Sequence, residues 1–203
     1  MNVTLRHATP ADAGTIFDLV SSNLEAGHLL PRTQEDIRDH IGHFVIAVAD
    51  GAVVGCAELA RLSPSIAEVR SLVVAESARG RRIGSTIIAH LATNASIAGY
   101  ATLCAFTHDP SHFVRLGFTI VPHIWVPEKI AHDCTTCAQF RKCGQYAVRL
   151  ELRRGAAAVP ERPAAMVAYG RGVAPRRPNV ERLQLTPVDG DRDRREEAEV
   201  VVA

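Results

Sequence analysis

Glu68 and Arg70 open a run whose residue types can do chemistry together, EVRSLVVAESARGRRIG at positions 68–84. A carboxylate can take a proton from a reacting group, and a guanidinium two residues away can grip a substrate carboxylate or keep Glu68 ionised. Further on, a turn rich in Arg and Gly leads into an apolar helical pattern beginning at Ile83. The amides at such a helix start are free and lie at the positive end of its dipole, a setting that suits phosphate. Gly80 and Gly84 let the backbone come close to a ligand, and Arg79, Arg81 and Arg82 add positive charge around it. In an unbroken strand Glu68, Arg70, Leu72 and Val74 share one face, which makes base and cation neighbours. Without further context, a strand glutamate in a surface salt bridge is the commoner case for Glu68.

The pattern around this run supplies the elements that must hold it. Residues 3–6 alternate as an opening strand, and Thr9, Pro10 and Asp12 then start a helix that buries Ile16, Phe17, Leu19, Val20 and Leu24 and ends at Gly27. Thr33 caps a shorter helix containing Ile37 and Ile41, which leaves Arg32 at the junction, exposed enough to bind something. Two apolar strands, 44–49 and 52–59, flank Asp50 and Gly51, a favoured two-residue hairpin turn. The strand carrying Glu68 follows as their neighbour. Beyond Arg82 a helix turns Ile83, Ile87, Ile88, Leu91 and Ala95 inward and ends near Gly99. Strands at 102–106, 118–121 and 146–152, with a short helix from Asp109 and Pro110 to Gly117, complete the set. From Arg153 the texture turns to Arg, Ala, Pro, Gly and Glu, which reads as a disordered tail, 153–203, after a folded domain, 1–152.

A chain of 203 residues with 47% hydrophobic residues supports one core of ordinary size. Its formal charge of +1 gives no global reason to favour nucleic acid or an anionic membrane. No apolar run approaches the roughly 20 residues of a membrane helix, and the amino terminus lacks a signal pattern, so the expected compartment is the cytoplasm. There the five cysteines stay reduced. Cys56 and Cys104 fall on strands as inert thiols, which disfavours a covalent cysteine route. His132, Cys134, Cys137 and Cys143 have the composition of a Cys3His zinc site, but the run is compressed where structural zinc joins two separated knuckles. The reading preferred is an arm packed on the substrate side, with no metal.

The segment Arg79 to Gly84 resembles the acyl-CoA signature of the GNAT acetyltransferase superfamily, Gln or Arg, two residues, Gly, one residue, then Gly or Ala. The preceding strand and the triplet Leu116, Gly117, Phe118 fit the same order. More narrowly, LLPRT at 29–33, VVGCAEL at 53–59, EVRSLVV at 68–74 and KIAHDCTTCAQFRKCGQYAV at 129–148 are similar to the N-acetylglutamate synthase-like group. The resemblance spans residues 3–152. It implies an α/β (α+β) fold, with a mixed, mostly antiparallel central sheet flanked by helices. The implied reaction moves acetyl from acetyl-CoA to the α-amine of an amino acid, glutamate leading, as in the first step of arginine biosynthesis. Larger members carry an arginine-sensing kinase-like domain, which a chain of this length is expected to lack. Rival readings are acetylation of another small amine or a protein amino terminus, and an acetyl-CoA-binding sensor without turnover.

The same resemblance assigns roles. Glu68 is the catalytic base, because an amine must be neutral to attack a thioester and α-amines have a pKa of about 8. Leu72, Val73, Val74, Arg79, Gly80, Arg81, Arg82, Ile83, Gly84 and Ser85 are cofactor-binding, the strand residues through backbone groups and a bulge that modifies the alternation. Arg32, Arg70 and Lys129 are the candidates for substrate carboxylates. Two departures stand out. Arg82 replaces the fourth-position Gly of the signature and so must take a backbone shape usually given to Gly. Phe113 replaces a Tyr that serves many members as general acid, with His108 and His112 as nearby substitutes. Expected partners are acetyl-CoA and a small amino acid, with neither nucleic acid nor membrane, and a homodimer is the assembly considered.

Overall fold

The computed structural model describes residues 2–24 and 29–152. The expected tail and the helix end at Gly27 lie outside them. The first strand, β1 (Val3–His7), turns at Thr9, where Asp12 accepts from the Thr9 backbone amide and hydroxyl, both at 2.7 Å, and from Arg6 through two bonds of 2.8 Å. A 3-10 turn (Pro10–Asp12) then leads into α1 (Ala13–Ser21), whose buried Ile16 and Val20 stand one helical turn apart. Thr33 caps α2 (Gln34–Asp39) by accepting from the Asp36 amide at 3.1 Å, as its residue type predicts. Ile41 falls in the 3-10 turn after α2.

The hairpin of β2 (Phe44–Ala49) and β3 (Ala52–Arg61) closes through Asp50 and Gly51 at φ 50° and 82°, the doubly left-handed turn that fits strand twist. Next come β4 (Ile66–Val74), α3 (Ile83–Ile97), β5 (Thr102–Thr107), α4 (Ser111–Val114), β6 (Thr119–Val121), the short helix α5 (Pro127–Lys129) and β7 (Tyr146–Glu151). They form a seven-stranded sheet in the order β1-β2-β3-β4-β5-β7-β6. Among the described residues only β4 and β5 pair in parallel, which makes the sheet mixed and mostly antiparallel as expected. One face packs on α3 through Val45, Ala57, Val69, Leu103 and Val148, and the other on α1 through Phe44, Ile46 and Cys56.

Strand β4 departs from regular pairing in two ways. It pairs with β5 only from Ile66 to Val69, so its second half runs on without that neighbour. Against β3, one residue (Ala57) separates positions that on β4 are three apart (Arg70 and Val73), a bulge centred on Ser71 at φ 50°. The alternation of an ideal strand therefore stops at Arg70, at a bulge of the kind the resemblance implied. Val73 joins the α1 side with Cys56, while Leu72 and Val74 pack toward α3.

Candidate active site

Where β4 leaves β5, the molecule opens into a cavity of about 990 Å³. Its walls come from β4, the end of β5, the segment before α2 and the arm between β6 and β7. Glu68 lies in it at only 2% exposure, placed on β4 beside buried Cys104. A buried carboxylate needs partners, and this one has two. Glu68 Oε2 accepts from Arg70 Nε at 2.6 Å, and Oε1 from Lys129 Nζ at 2.6 Å. Each carboxylate oxygen has a second lone pair, so the cations leave acceptor capacity for a proton. Asp133 completes a quartet: its Oδ2 accepts from Arg70 Nη2 at 2.5 Å and lies 2.8 Å from Lys129 Nζ. Burial pushes the Asp133 carboxyl up, and the hydrogen bond from Lys129 with the charges of Lys129 and Arg70 outweighs it, leaving a net fall below the usual range.

Arg32 forms a second cluster on the same wall. Its Nη1 donates to Glu58 Oε2 at 2.6 Å and to Ser71 Oγ at 3.2 Å, and its Nε donates to Asp36. The Arg32 side chain is 14% exposed, and its guanidinium lies 5.8 Å from the Phe44 ring centre. Arg32 is thus only partly exposed at the junction, and it lines the cavity. Burial lowers the proton affinity of both Arg32 and Arg70, and their carboxylate partners more than restore it.

The turn before α3 has the strain that its sequence demands. Arg82 sits at φ 61° and ψ 14°, left-handed, and its carbonyl accepts from the Thr86 amide at 3.0 Å. Gly80 is at φ 76°, which explains a glycine there. Gly84 is different: a Cβ on it would meet only ordinary contacts, His112 Nε2 at 3.5 Å and Val74 Cγ2 at 3.7 Å. Arg79 folds back, donating to the Val74 carbonyl at 3.2 Å and to Asn23 Oδ1 at 2.7 Å. Phe113 is buried and edge-on to Phe118, with ring centres 5.2 Å apart, so that position is core. His112 is half-buried on the cavity wall, and burial lowers its pKa.

The chain matches the acetyltransferase (GNAT) family over residues 15–118. It belongs to the GNAT acetyltransferases. An uncharacterized N-acetyltransferase of Chlorobaculum tepidum is 31% identical over 144 residues, covering 71% of this chain and 93% of that protein. The amino-acid acetyltransferase of Shewanella oneidensis is 33% identical over 127 residues, 62% of this chain but only 28% of the relative. Among solved structures, N-acetylglutamate synthase of Neisseria gonorrhoeae, complexed with coenzyme A and N-acetyl-glutamate, superimposes with a TM-score of 0.68 at 26% identity. That match covers 76% of this chain and 36% of the synthase. The enzyme is thus an acetyl-CoA-dependent N-acetyltransferase, and the chain spans only 28% of the Shewanella amino-acid acetyltransferase and 36% of the synthase.

In this acetyltransferase the residues singled out from sequence fall into two groups. Glu68, Arg70 and Lys129 meet in direct contact, and Arg32 lies in the same cavity with its own partners. Leu72, Val73, Val74 and Arg79 reach the cavity as well, while Gly80 to Ser85 form the turn and the first residues of α3. His132, Cys134, Cys137 and Cys143 are not brought together as ligands: among the described residues no group of three or more His, Cys, Asp or Glu could hold a metal ion. Cys56 and Cys104 are buried, and burial pushes the Cys56 thiol up to about 12 and raises that of Cys104. Sequence reasoning missed Glu58, Asp133, Asp36 and Asn23. Glu58 had a signal, being a lone charge inside an apolar strand, which burial forces to find a cation.

Proposed function

We propose that residues 1–152 form an amino-acid N-acetyltransferase domain that acetylates an α-amine, that of L-glutamate foremost. The observation that carries this reading is Glu68, buried between Arg70 and Lys129 where β4 parts from β5. A carboxylate there is within reach of an amine held by its own carboxylate on Arg70 or Lys129. Glu68 takes the amine proton directly or through a water, and the neutral amine attacks the thioester. Beyond Val69, β4 has no β5 partner, which supports the backbone of Leu72 and Val74 as the site for the pantetheine arm and acetyl carbonyl. The amides of the 79–85 turn suit the pyrophosphate, and Gly84, which the protein's own packing does not require, fits a close approach there. Loss of the general-acid Tyr at Phe113 is tolerable because a CoA thiolate, with a thiol pKa of about 8.5, leaves with little help.

Glutamate as substrate would place the enzyme at the start of arginine biosynthesis in the cytoplasm; among the described residues no helix is long and apolar enough to cross a membrane. CoA release measured over a panel of amino acids and simple amines tests the reading. Glutamate preferred is the expected result. Turnover confined to amines without an α-carboxylate overturns the amino-acid assignment, and acetyl-CoA binding with no product from any amine makes the protein a sensor.

A further inference from the structure

The three cations offered to a substrate carboxylate are already neutralised by the protein itself. Arg70 and Lys129 face Glu68 and Asp133, two charges against two, and Arg32 faces Glu58 and Asp36. An amino acid entering with its carboxylate must therefore exchange with an internal one rather than add to an open cation. Glu68 cannot be the one that yields, since it is 2% exposed within the central strand.

Asp133 can. Its side chain is 34% exposed, and the carboxylate bridges Arg70 and Lys129 from the cavity side. It belongs to a π-helical turn, Ile130–Cys134, closed by a long 3.3 Å bond from the Thr135 amide to the Ile130 carbonyl. Val126 is fully buried, but from residue 127 to residue 146 no side chain is, and burial resumes at Ala147. The arm lines the cavity as expected but is not packed into the body, and the ion pairs of Lys129 and Asp133 tie it down. Releasing Asp133 disrupts no core.

We propose that Asp133 is a built-in occupant of the substrate-carboxylate subsite, holding Arg70 and Lys129 until the carboxylate of an amino acid takes its place. This rests on the reading of Arg70 and Lys129 as carboxylate-binding groups. It makes Asp133 a specificity-determining residue. A substrate with a carboxylate replaces one anion by another at balanced charge, whereas an amine without one leaves Asp133 where it is and gains nothing from the two cations.

The test uses glutarate, a dicarboxylate with no amine to acetylate, titrated calorimetrically into the full chain. Removing the internal competitor in Asp133→Asn should tighten glutarate about fivefold, about 1 kcal/mol at 25 °C, with KM for glutamate falling in step. Asp133→Ser, which has a shorter side chain, should do the same and guards against a fault peculiar to one variant. In the parent chain, glutarate should speed hydrogen exchange at amides 130–135, because the arm loses a tether; ordinary ligand packing would slow it. Glutarate affinity unchanged or weakened in both Asp133 variants, or slower exchange in the arm, overturns the proposal. Arg70→Gln should weaken glutarate by about tenfold or more. If Arg70→Gln binds glutarate as the parent does, the carboxylate reading of the cations fails instead, a distinct result.

Discussion

Asp36 and Asp133 have nearly the same exposure, 38% and 34%, and each lies against a cation on one cavity wall. Solvent access would rank them together. Their segments separate them. Asp36 lies four residues after Arg32 in α2, whose start is capped by Thr33 and whose Ile37 is fully buried, so it moves only if the helix does. Asp133 rides on an arm with no buried residue. Arg32 also holds Glu58, 1% exposed on β3, and the Ser71 hydroxyl at the bulge, so its cluster knits three elements together. If Asp133 yields to substrate and Asp36 does not, the anchoring of the carboxylate's backbone, more than its exposure, decides whether an ion pair is available to a ligand.

The largest expected effect tests the centre of the available cluster. Glu68→Gln keeps the shape and removes the base, and kcat for amino-acid acetylation should fall by about 10² to 10⁴. The residual rate should climb with pH as the amine loses its proton to solvent. Free-thiol release followed over a pH series reads both. A loss below about tenfold would place Glu68 among structural ion pairs and erase the distinction between the clusters.

The structural cluster should respond in stability. Glu58→Gln leaves Arg32 short of a buried counter-charge while keeping an acceptor, and unfolding free energy should drop by about 2–3 kcal/mol. Urea midpoints at constant slope check this. A variant as stable as the parent would show that Arg32 is not held by Glu58, and would return it to the cations open to substrate.

The sequence carried the sheet and its helices because local chemistry writes them locally: Asp50 and Gly51 for the hairpin, Thr33 for the cap of α2, Ile83, Ile87 and Leu91 for the face of α3. The strain at Arg82 was legible from the resemblance instead, because a non-glycine residue stands where the family signature has Gly. The partners of the site were hidden for a different reason. Glu58 meets Arg32 across 26 positions and Asp133 meets Arg70 across 63. Periodicity reports which face a residue takes and says nothing of what it meets there. The resemblance implied a bulge on β4 but not its place, since neither Gly nor Pro stands at Ser71, where the strand gains a residue. The arm expected to pack on the substrate side has no buried residue from 127 to 145.

The smallest expected effect is the most direct comparison of the two outer carboxylates. Asp36→Asn removes an exposed i,i+4 charge from Arg32 and should lower stability by only about 0.3–0.5 kcal/mol, because solvent screens the pair and Glu58 keeps hold of the guanidinium. Glutarate affinity should then change by less than about twofold, against the roughly fivefold gain expected at Asp133. The two substitutions are chemically identical and start from similar exposure, so any difference belongs to the segments that carry them. Equal gains from both would mean that any outer carboxylate over a cation competes with substrate. Anchoring would then cease to be what makes Asp133 exchangeable.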